Sequence, residues 1–185
     1  MTANTIFKQR IYVISGERNI GKTLLCLAIK NKIMSGSGIV RGVISPGLYR
    51  EDAKIGILVL DIASGEQRQL ASYEPGWDTS HPERLWRFDD QVLAWGNQKI
   101  LASVPTDILI IDEIGYLELE NNEGWTSAMK VLDDGLFQKA IIVVRPELLE
   151  KVYQRWQIAD TFIVHSGTDL SNLSTTLLDH FKDEA

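Results

Sequence analysis

The spacing of hydrophobic and polar positions changes several times along the chain, and each change marks an element. Residues 11–15 form a short apolar, β-branched run; a Gly-bounded segment follows, and then a helical pattern over 22–34. Leu24, Leu25, Leu27, Ala28 and Ile29 make that helix apolar over much of its surface, so it is expected to pack on both sides, and Ser35-Gly36-Ser37-Gly38 ends it. Between Ile39 and Ser72 the period shortens to alternation, in runs 39–45, 54–62 and 66–71 separated by turn signals at Pro46-Gly47 and Ser64-Gly65. Strands joined so closely are expected to be antiparallel, because a parallel pair needs a crossover of about a dozen residues or more. A local antiparallel β insertion is therefore predicted after the first helix.

Residues 73–83 carry Pro75, Gly76, Asp78, Ser80 and Pro82, which is loop chemistry, and we expect this to be the most mobile segment. Asp89 or Asp90 can then cap a helix running to about Ser103. The remainder alternates: strand 107–112, helix 125–132, strand 140–144, helix 147–156, strand 161–164 and helix 170–181. Such alternation predicts an α/β fold, a three-layer sandwich whose mostly parallel sheet is covered on both faces.

Composition narrows the class. At 185 residues the chain is expected to form one domain, 1–185, since two separate cores would each be marginal. A charged fraction of 24% against 44% hydrophobic residues argues for a compact fold rather than disorder. The formal charge of −6 disfavours a dedicated nucleic-acid surface, which needs a basic face. Apolar runs such as 108–111 and 140–144 are far below the roughly 20 residues that span a bilayer, so no membrane partner is expected. The first ten residues lack a secretory pattern and the one cysteine, Cys26, cannot form an internal disulfide, which together point to the cytoplasm. Cys26 reads as a core residue; His81, His165 and His180 are too scattered for a zinc site. A monomer is expected.

Gly16-Glu17-Arg18-Asn19-Ile20-Gly21-Lys22-Thr23 satisfies the phosphate-loop template at every fixed position. The template needs glycines so that the backbone can turn tightly, aiming consecutive amides and the next helix's N-terminus at phosphate oxygens. Lys22 can then place its ammonium between β- and γ-phosphates, while the Thr23 hydroxyl takes one position on Mg2+. The motif follows a predicted strand and opens a predicted helix, the setting it requires.

The run 108–111 leads into Asp112 and Glu113. In an open α/β sheet ligands sit at the carboxyl ends of the strands, which puts these acids on the same edge as the phosphate loop. Asp112 suits a magnesium-holding role, through water, and Glu113 the orientation or deprotonation of a water that attacks the γ-phosphate. Arg145 ends the strand 140–144 on that edge and is the candidate for positive charge near the β,γ-bridge; Arg18, within the loop, reads as solvated. Trp77, Trp86 and Trp95 lie in or near the loop region. One of them could stack on a nucleotide base, but packing of the insertion against the sheet is the preferred reading.

With these motifs in view the chain resembles the THEP-type nucleoside-triphosphatases, also called cancer-related nucleoside-triphosphatase homologues. The resemblance rests on the phosphate loop, on Gly42-Val43-Ile44-Ser45-Pro46 with the hairpin segments 55–57 and 60–66, and most distinctively on the run from Ile111 to Leu119. It implies a RecA-like P-loop NTPase that hydrolyses ATP, GTP and other nucleoside triphosphates to diphosphate and phosphate with Mg2+. It also implies a role for Glu118, either structural near the site or as a helix cap. The chain departs from the family pattern at Tyr116, Gly47 and Tyr49, which bears on substrate preference.

Two other classes share the loop. A regulatory GTPase would need a guanine-reading motif, and Asn31-Lys32 is followed by Ile33-Met34 instead. A small-molecule or nucleotide kinase would need an acceptor pocket and an arginine-rich lid, and a glutamate after Asp112 suits water activation better. A nucleotide-gated binding module is the third alternative, with the 73–83 loop as its moving part.

Overall fold

Tyr12, Val13 and Ile14 have no exposed surface, so the first strand is covered on both faces, as its uninterrupted apolar run demands. The computed structural model describes residues 9–81 and 85–183, with side chains through Phe181. Among the described residues nine strands form one sheet: β1 (Arg10–Ser15), β2 (Val40–Ile44), β3 (Gly47–Arg50), β4 (Ala53–Asp61), β5 (Gln67–Tyr73), β6 (Trp86–Phe88), β7 (Thr106–Ile114), β8 (Phe137–Val144) and β9 (Ile158–Ile163). The order is β6-β5-β4-β2-β7-β8-β1-β9, with β3 paired to β4. Pairings among β2, β7, β8, β1 and β9 are parallel, and those that add β4, β3, β5 and β6 are antiparallel.

Among the described residues five α-helices cover this sheet: α1 (Lys22–Ser35), α2 (Asp90–Leu101), α3 (Thr126–Asp134), α4 (Leu149–Arg155) and α5 (Leu170–Asp183). Alternation along β1 assigns the two faces. Tyr12 and Ile14 share one apolar cluster with Leu25, Cys26 and Ile29 of α1 and Leu177 and Phe181 of α5; Ile11 and Val13 share the other with residues of α2, α3 and α4. The three-layer sandwich follows. The Tyr12 ring meets Phe181 at 4.7 Å between centroids, and Lys32 Nζ donates to Ser171 O at 2.7 Å, so α1 packs both on the sheet and on α5. Asp89 caps α2 by accepting from Gln91 N at 2.9 Å and Val92 N at 3.0 Å.

The sheet differs from expectation in the insertion. β2 joins β7 in parallel and β4 in antiparallel fashion, so it closes the parallel core, and the insertion begins after it. The reason is that α1 lies between β1 and β2 and supplies the crossover that a parallel placement needs. β3 pairs with β4 through a tight turn in which Glu51 and Asp52 both have positive φ, 47° and 39°, a turn without the glycine or asparagine that would have signalled it. β6 adds an edge strand directly after the 73–83 segment. Within that segment Asp78 Oδ1 accepts from Ser80 N at 3.1 Å, and Pro82 and Glu83 lie outside the described residues. Among the described residues no helix is long and apolar enough to cross a membrane.

Two positions hold the insertion to the core. Gly42, at φ 117°, lies so close to the Ile110 backbone that a Cβ would overlap the Ile110 carbonyl oxygen. Asp61, at the end of β4, is 2% exposed and accepts from Ser64 Oγ at 2.6 Å and Ala63 N at 3.2 Å, with Lys99 Nζ at 3.1 Å. Burial works to raise the Asp61 carboxyl, but the Ser64 hydroxyl, Lys99 and the Ala63 amide outweigh it and hold the group below the ordinary carboxylate value.

Gly42→Ala should lower stability by roughly 2–4 kcal/mol, seen as an earlier urea midpoint; an unchanged midpoint would show that β2 can move away from β7 without cost. Asp61→Asn should cost about 1–3 kcal/mol at pH 7. Because the folded value is depressed, that deficit is complete above the ordinary carboxyl value of about 4 and shrinks as pH falls through the lower folded value. Urea titrations at pH 7 and pH 3 check the sign, and an equal deficit at both would exclude the charge as its source.

Candidate active site

The segment between β1 and α1 can turn only because three residues accept positive φ: Gly16 at 146°, Asn19 at 59° and Gly21 at 103°. Gly16 is further fixed by the Val164 carbonyl oxygen, which occupies the space a Cβ would need, and Gly21 by the Leu170 side chain, 3.1 Å from its would-be Cβ. α1 begins with no side-chain cap and no acidic residue in its first turn, so its leading amides remain available to an anion. Glu17, Arg18 and Asn19 are exposed, whereas Ile20 packs partly into the α1–α5 core. The expected loop, Gly16 to Thr23, thus has the concave backbone its composition requires.

Lys22 bends back over the loop. Its ammonium donates to Gly16 O at 2.6 Å and Glu17 O at 2.5 Å. Burial lowers its pKa most, and Arg145 adds to that, while Glu113, Asp112 and Glu17 draw the value back up. These five charged groups therefore lie within mutual electrostatic reach at the carboxyl ends of β1, β7 and β8.

Strand β7 sends the two acids at its C-terminal end, Asp112 and Glu113, in opposite directions. Asp112 follows the alternation of Ile110 and turns toward α1, where it is 2% exposed; its Oδ2 accepts from Ser45 N at 3.0 Å, and the Thr23 hydroxyl lies near enough to favour its charged form. Burial pushes the Asp112 carboxyl up to about 6, and the nearby Glu113 charge adds to this, against the Ser45 amide, the Thr23 hydroxyl and Lys22. The ladder between β7 and β8 then slips between Ile111 and Ile114, and Glu113 takes φ 75°. This bulge sends Glu113 to the rim, 48% exposed, where its Oε1 accepts from Arg145 Nε at 2.9 Å and from a terminal guanidinium nitrogen at 2.5 Å. Arg145, Pro146 and Glu147 face Gly16, Glu17 and Arg18 across a cleft of about 210 Å³.

The structure thus brings Lys22, Thr23, Asp112, Glu113 and Arg145 together, and Arg18 borders the same cleft. Trp86 and Trp95 stand apart. Trp86 packs edge-on against Tyr73 at 5.3 Å on β6, six strands from β1 and so roughly 29 Å away at normal strand spacing. Trp95 packs into the core of the α2 face beneath Arg68, 4.4 Å from its ring. Both support packing rather than base stacking. Cys26, on α1, is fully buried and burial drives its thiol well above the ordinary value, which fits a core role.

Two residues near the site carry more than the sequence signals. Ser45 supplies the amide that compensates Asp112, and only the pairing of β2 beside β7 brings them together. Glu118 lies in a π-helical turn, Leu117–Asn121, and accepts from Gly115 N and Trp125 N, both at 2.7 Å, so it fastens the end of β7 to the start of α3. Burial raises its pKa against those same amides. This is a structural tie, one of the two roles the sequence left open. Ser15, the residue before Gly16, is fully buried, and its hydroxyl has no hydrogen-bond partner among the described residues.

Known proteins share this fold. A solution structure of a human cancer-related nucleoside triphosphatase superimposes with a TM-score of 0.71 at 18% identity, covering 95% of this chain and 99% of that one. The crystal structure of THEP1 from the hyperthermophile Aquifex aeolicus gives 0.58 at 15% identity, covering 92% and 98%. At such identities the likeness concerns the fold. In sequence, the nucleoside-triphosphatase THEP1 of Methanopyrus kandleri is 27% identical over 171 residues, 91% of this chain and 93% of its own length. That of Archaeoglobus fulgidus is 30% identical over 112 residues, 60% of this chain and 63% of its own. Residues 11–165 match the family described as NTPase, a span that runs from β1 past β9 and includes the phosphate loop and both β7 acids, and the chain belongs to that family.

Proposed function

We propose that the protein hydrolyses nucleoside triphosphates, ATP and GTP among them, to the diphosphate and phosphate, with Mg2+ as cofactor. The observation that carries this reading is the convergence of the phosphate loop, with Lys22 bent over it, on the buried Asp112 carboxylate and on the Glu113–Arg145 pair at its mouth. In this reading the loop amides and Lys22 bind the β- and γ-phosphates. Lys22 would trade its two carbonyl partners, Gly16 O and Glu17 O, for phosphate oxygens.

Thr23 and Asp112 fit a magnesium ion. Both offer hard oxygen donors, and a carboxylate whose protonation is favoured by burial and by the Glu113 charge gains a reason to stay ionised beside a cation. Among the described residues no group of three or more His, Cys, Asp or Glu could hold a metal, so phosphate oxygens and water would complete the shell. When bound, Mg2+ neutralises charge on the β- and γ-oxygens.

Glu113 is the base in this reading, taking a proton from the attacking water at a carboxylate oxygen. Its present partner, the Arg145 guanidinium, would swing toward the γ-phosphate, stabilising charge there and releasing the carboxylate. The kinase and binding-module readings use the same loop and differ in what receives the phosphoryl group, if anything does.

Phosphate release from a panel of nucleoside triphosphates, with Mg2+ and no added acceptor, separates the readings. The hydrolase predicts release; release only on adding an acceptor would favour a kinase, and none with intact binding would favour a module. Lys22→Ala should weaken nucleotide binding about tenfold or more. Glu113→Gln should keep affinity within a few-fold while lowering turnover about 10²–10⁴-fold. Arg145→Ala should reduce kcat more than affinity, and wild-type kinetics in that variant would take Arg145 out of the mechanism.

A further inference from the structure

Glu113 takes a backbone conformation that few residues other than glycine adopt, φ 75°, and its surroundings must hold it there. The ladder with β8 is regular up to Ile111, opposite Ile142, and resumes at Ile114, opposite Val144, the residue before Arg145. At Ile114 the strand ends. The direction in which the chain leaves the bulge is therefore set at the next residue, Gly115.

Both peptide groups of Gly115 are captured by the turn that follows. Its N–H donates to Glu118 Oε2 at 2.7 Å, and its carbonyl accepts from Leu119 N at 3.1 Å. The other oxygen of the same carboxylate, Oε1, accepts from Trp125 N at 2.7 Å. Trp125 belongs to the core of the α2–α3 layer, where its ring lies against Gly96 of α2 and fills the space a Cβ would need. Asn97 reinforces the same point, its Nδ2 donating to Gly124 O at 2.9 Å and its Oδ1 accepting from Ser127 N at 2.8 Å. One carboxylate thus joins the bulge to a region packed from two helices.

The space around that carboxylate is tailored to it. Gly124, at φ 66°, approaches Glu118 Oε1 so closely that a Cβ would overlap it. Two N–H donors arriving at one side chain need an acceptor on each side, which a carboxylate supplies and an amide does not. Burial is the main cause of the raised Glu118 pKa, and the Glu113 charge adds to it, so the two carboxylates lie within electrostatic reach.

We propose that Glu118 is a positioning residue for the hydrolysis: by fixing Gly115 it holds the β7 bulge, and through the bulge it keeps the Glu113 carboxylate at the rim, against Arg145 and the mouth of the phosphate loop. The proposal rests on the function proposed above. Glu118 acts on the base and not on the phosphates, because the loop is braced from elsewhere, by the Val164 carbonyl at Gly16 and by Leu170 at Gly21. A displacement of about 1 Å at a reacting group can cost about 10²-fold in rate, so a lost tether two residues from Glu113 is felt in turnover.

Two variants separate this role from a contribution to folding alone. Glu118→Gln keeps the shape and loses one acceptor, while Gly124→Ala keeps every charge and crowds the carboxylate aside. Each should lower kcat about 10- to 10²-fold per folded molecule, with the folded fraction read from urea titration, and leave affinity for Mg2+ and ADP within about twofold. In a Glu113→Gln background, Glu118→Gln should cost less than about a further twofold, because its effect passes through Glu113. The NMR signal of the Arg145 Nε–H, bonded to Glu113 Oε1 in wild type, should move in Glu118→Gln toward its position in Glu113→Ala. The proposal is overturned if both variants keep kcat within about twofold of wild type, if ADP affinity falls in parallel with kcat, if the Glu113→Gln and Glu118→Gln losses multiply, or if the Arg145 signal stays in place. A wild type that releases no phosphate sinks the hydrolase reading alone, since the Arg145 signal then still decides whether Glu118 aims Glu113.

Discussion

A carboxylate taken out of water must be compensated or it will not stay charged, and in this fold the burial of Asp112 imposes that condition on three elements at once. The end of β2 must come close enough to lend the Ser45 amide, the first turn of α1 must present the Thr23 hydroxyl, and β7 must stop just after its apolar run. Gly42 is the backbone concession that lets β2 approach β7 closely enough. The end of the phosphate loop is then held beside that acid, near enough for the Thr23 hydroxyl to favour its charged form.

The second acid shows how one strand serves two purposes. Strict alternation would bury Glu113 in the face that holds Ile111, an uncompensated charge among apolar side chains. A one-residue slip against β8 avoids this, returning Ile114 to that core and leaving Glu113 at the rim beside Arg145. The positive φ at Glu113 is the local cost of that arrangement, and it is concentrated where two charged side chains meet.

What the sequence disclosed and what it hid divide along physical lines. The phosphate loop was legible because its demands are local: glycines where the backbone turns left, a lysine and a hydroxyl at fixed offsets. Asp112 was legible because a buried parallel strand ends where ligands bind. The partnership of Ser45 with Asp112 was not, since it depends on a register between strands more than sixty residues apart, 67 by direct count. The β3 turn was hidden because Glu51 and Asp52 adopt conformations their side chains do not advertise. The role of Glu118 emerged only once a π-helical turn folded it back onto Gly115 and Trp125.

The posture of Lys22 has a consequence for selectivity. In the proposed function Lys22 exchanges its bonds to Gly16 O and Glu17 O for bonds to phosphate oxygens, so a guest must compete with two carbonyls already in place. A lone inorganic anion would offer the ammonium little more than those carbonyls. A chain of linked phosphates would engage the lysine and the backbone cradle together, so the lysine's own bonds would sort guests by length before any bond is cleaved.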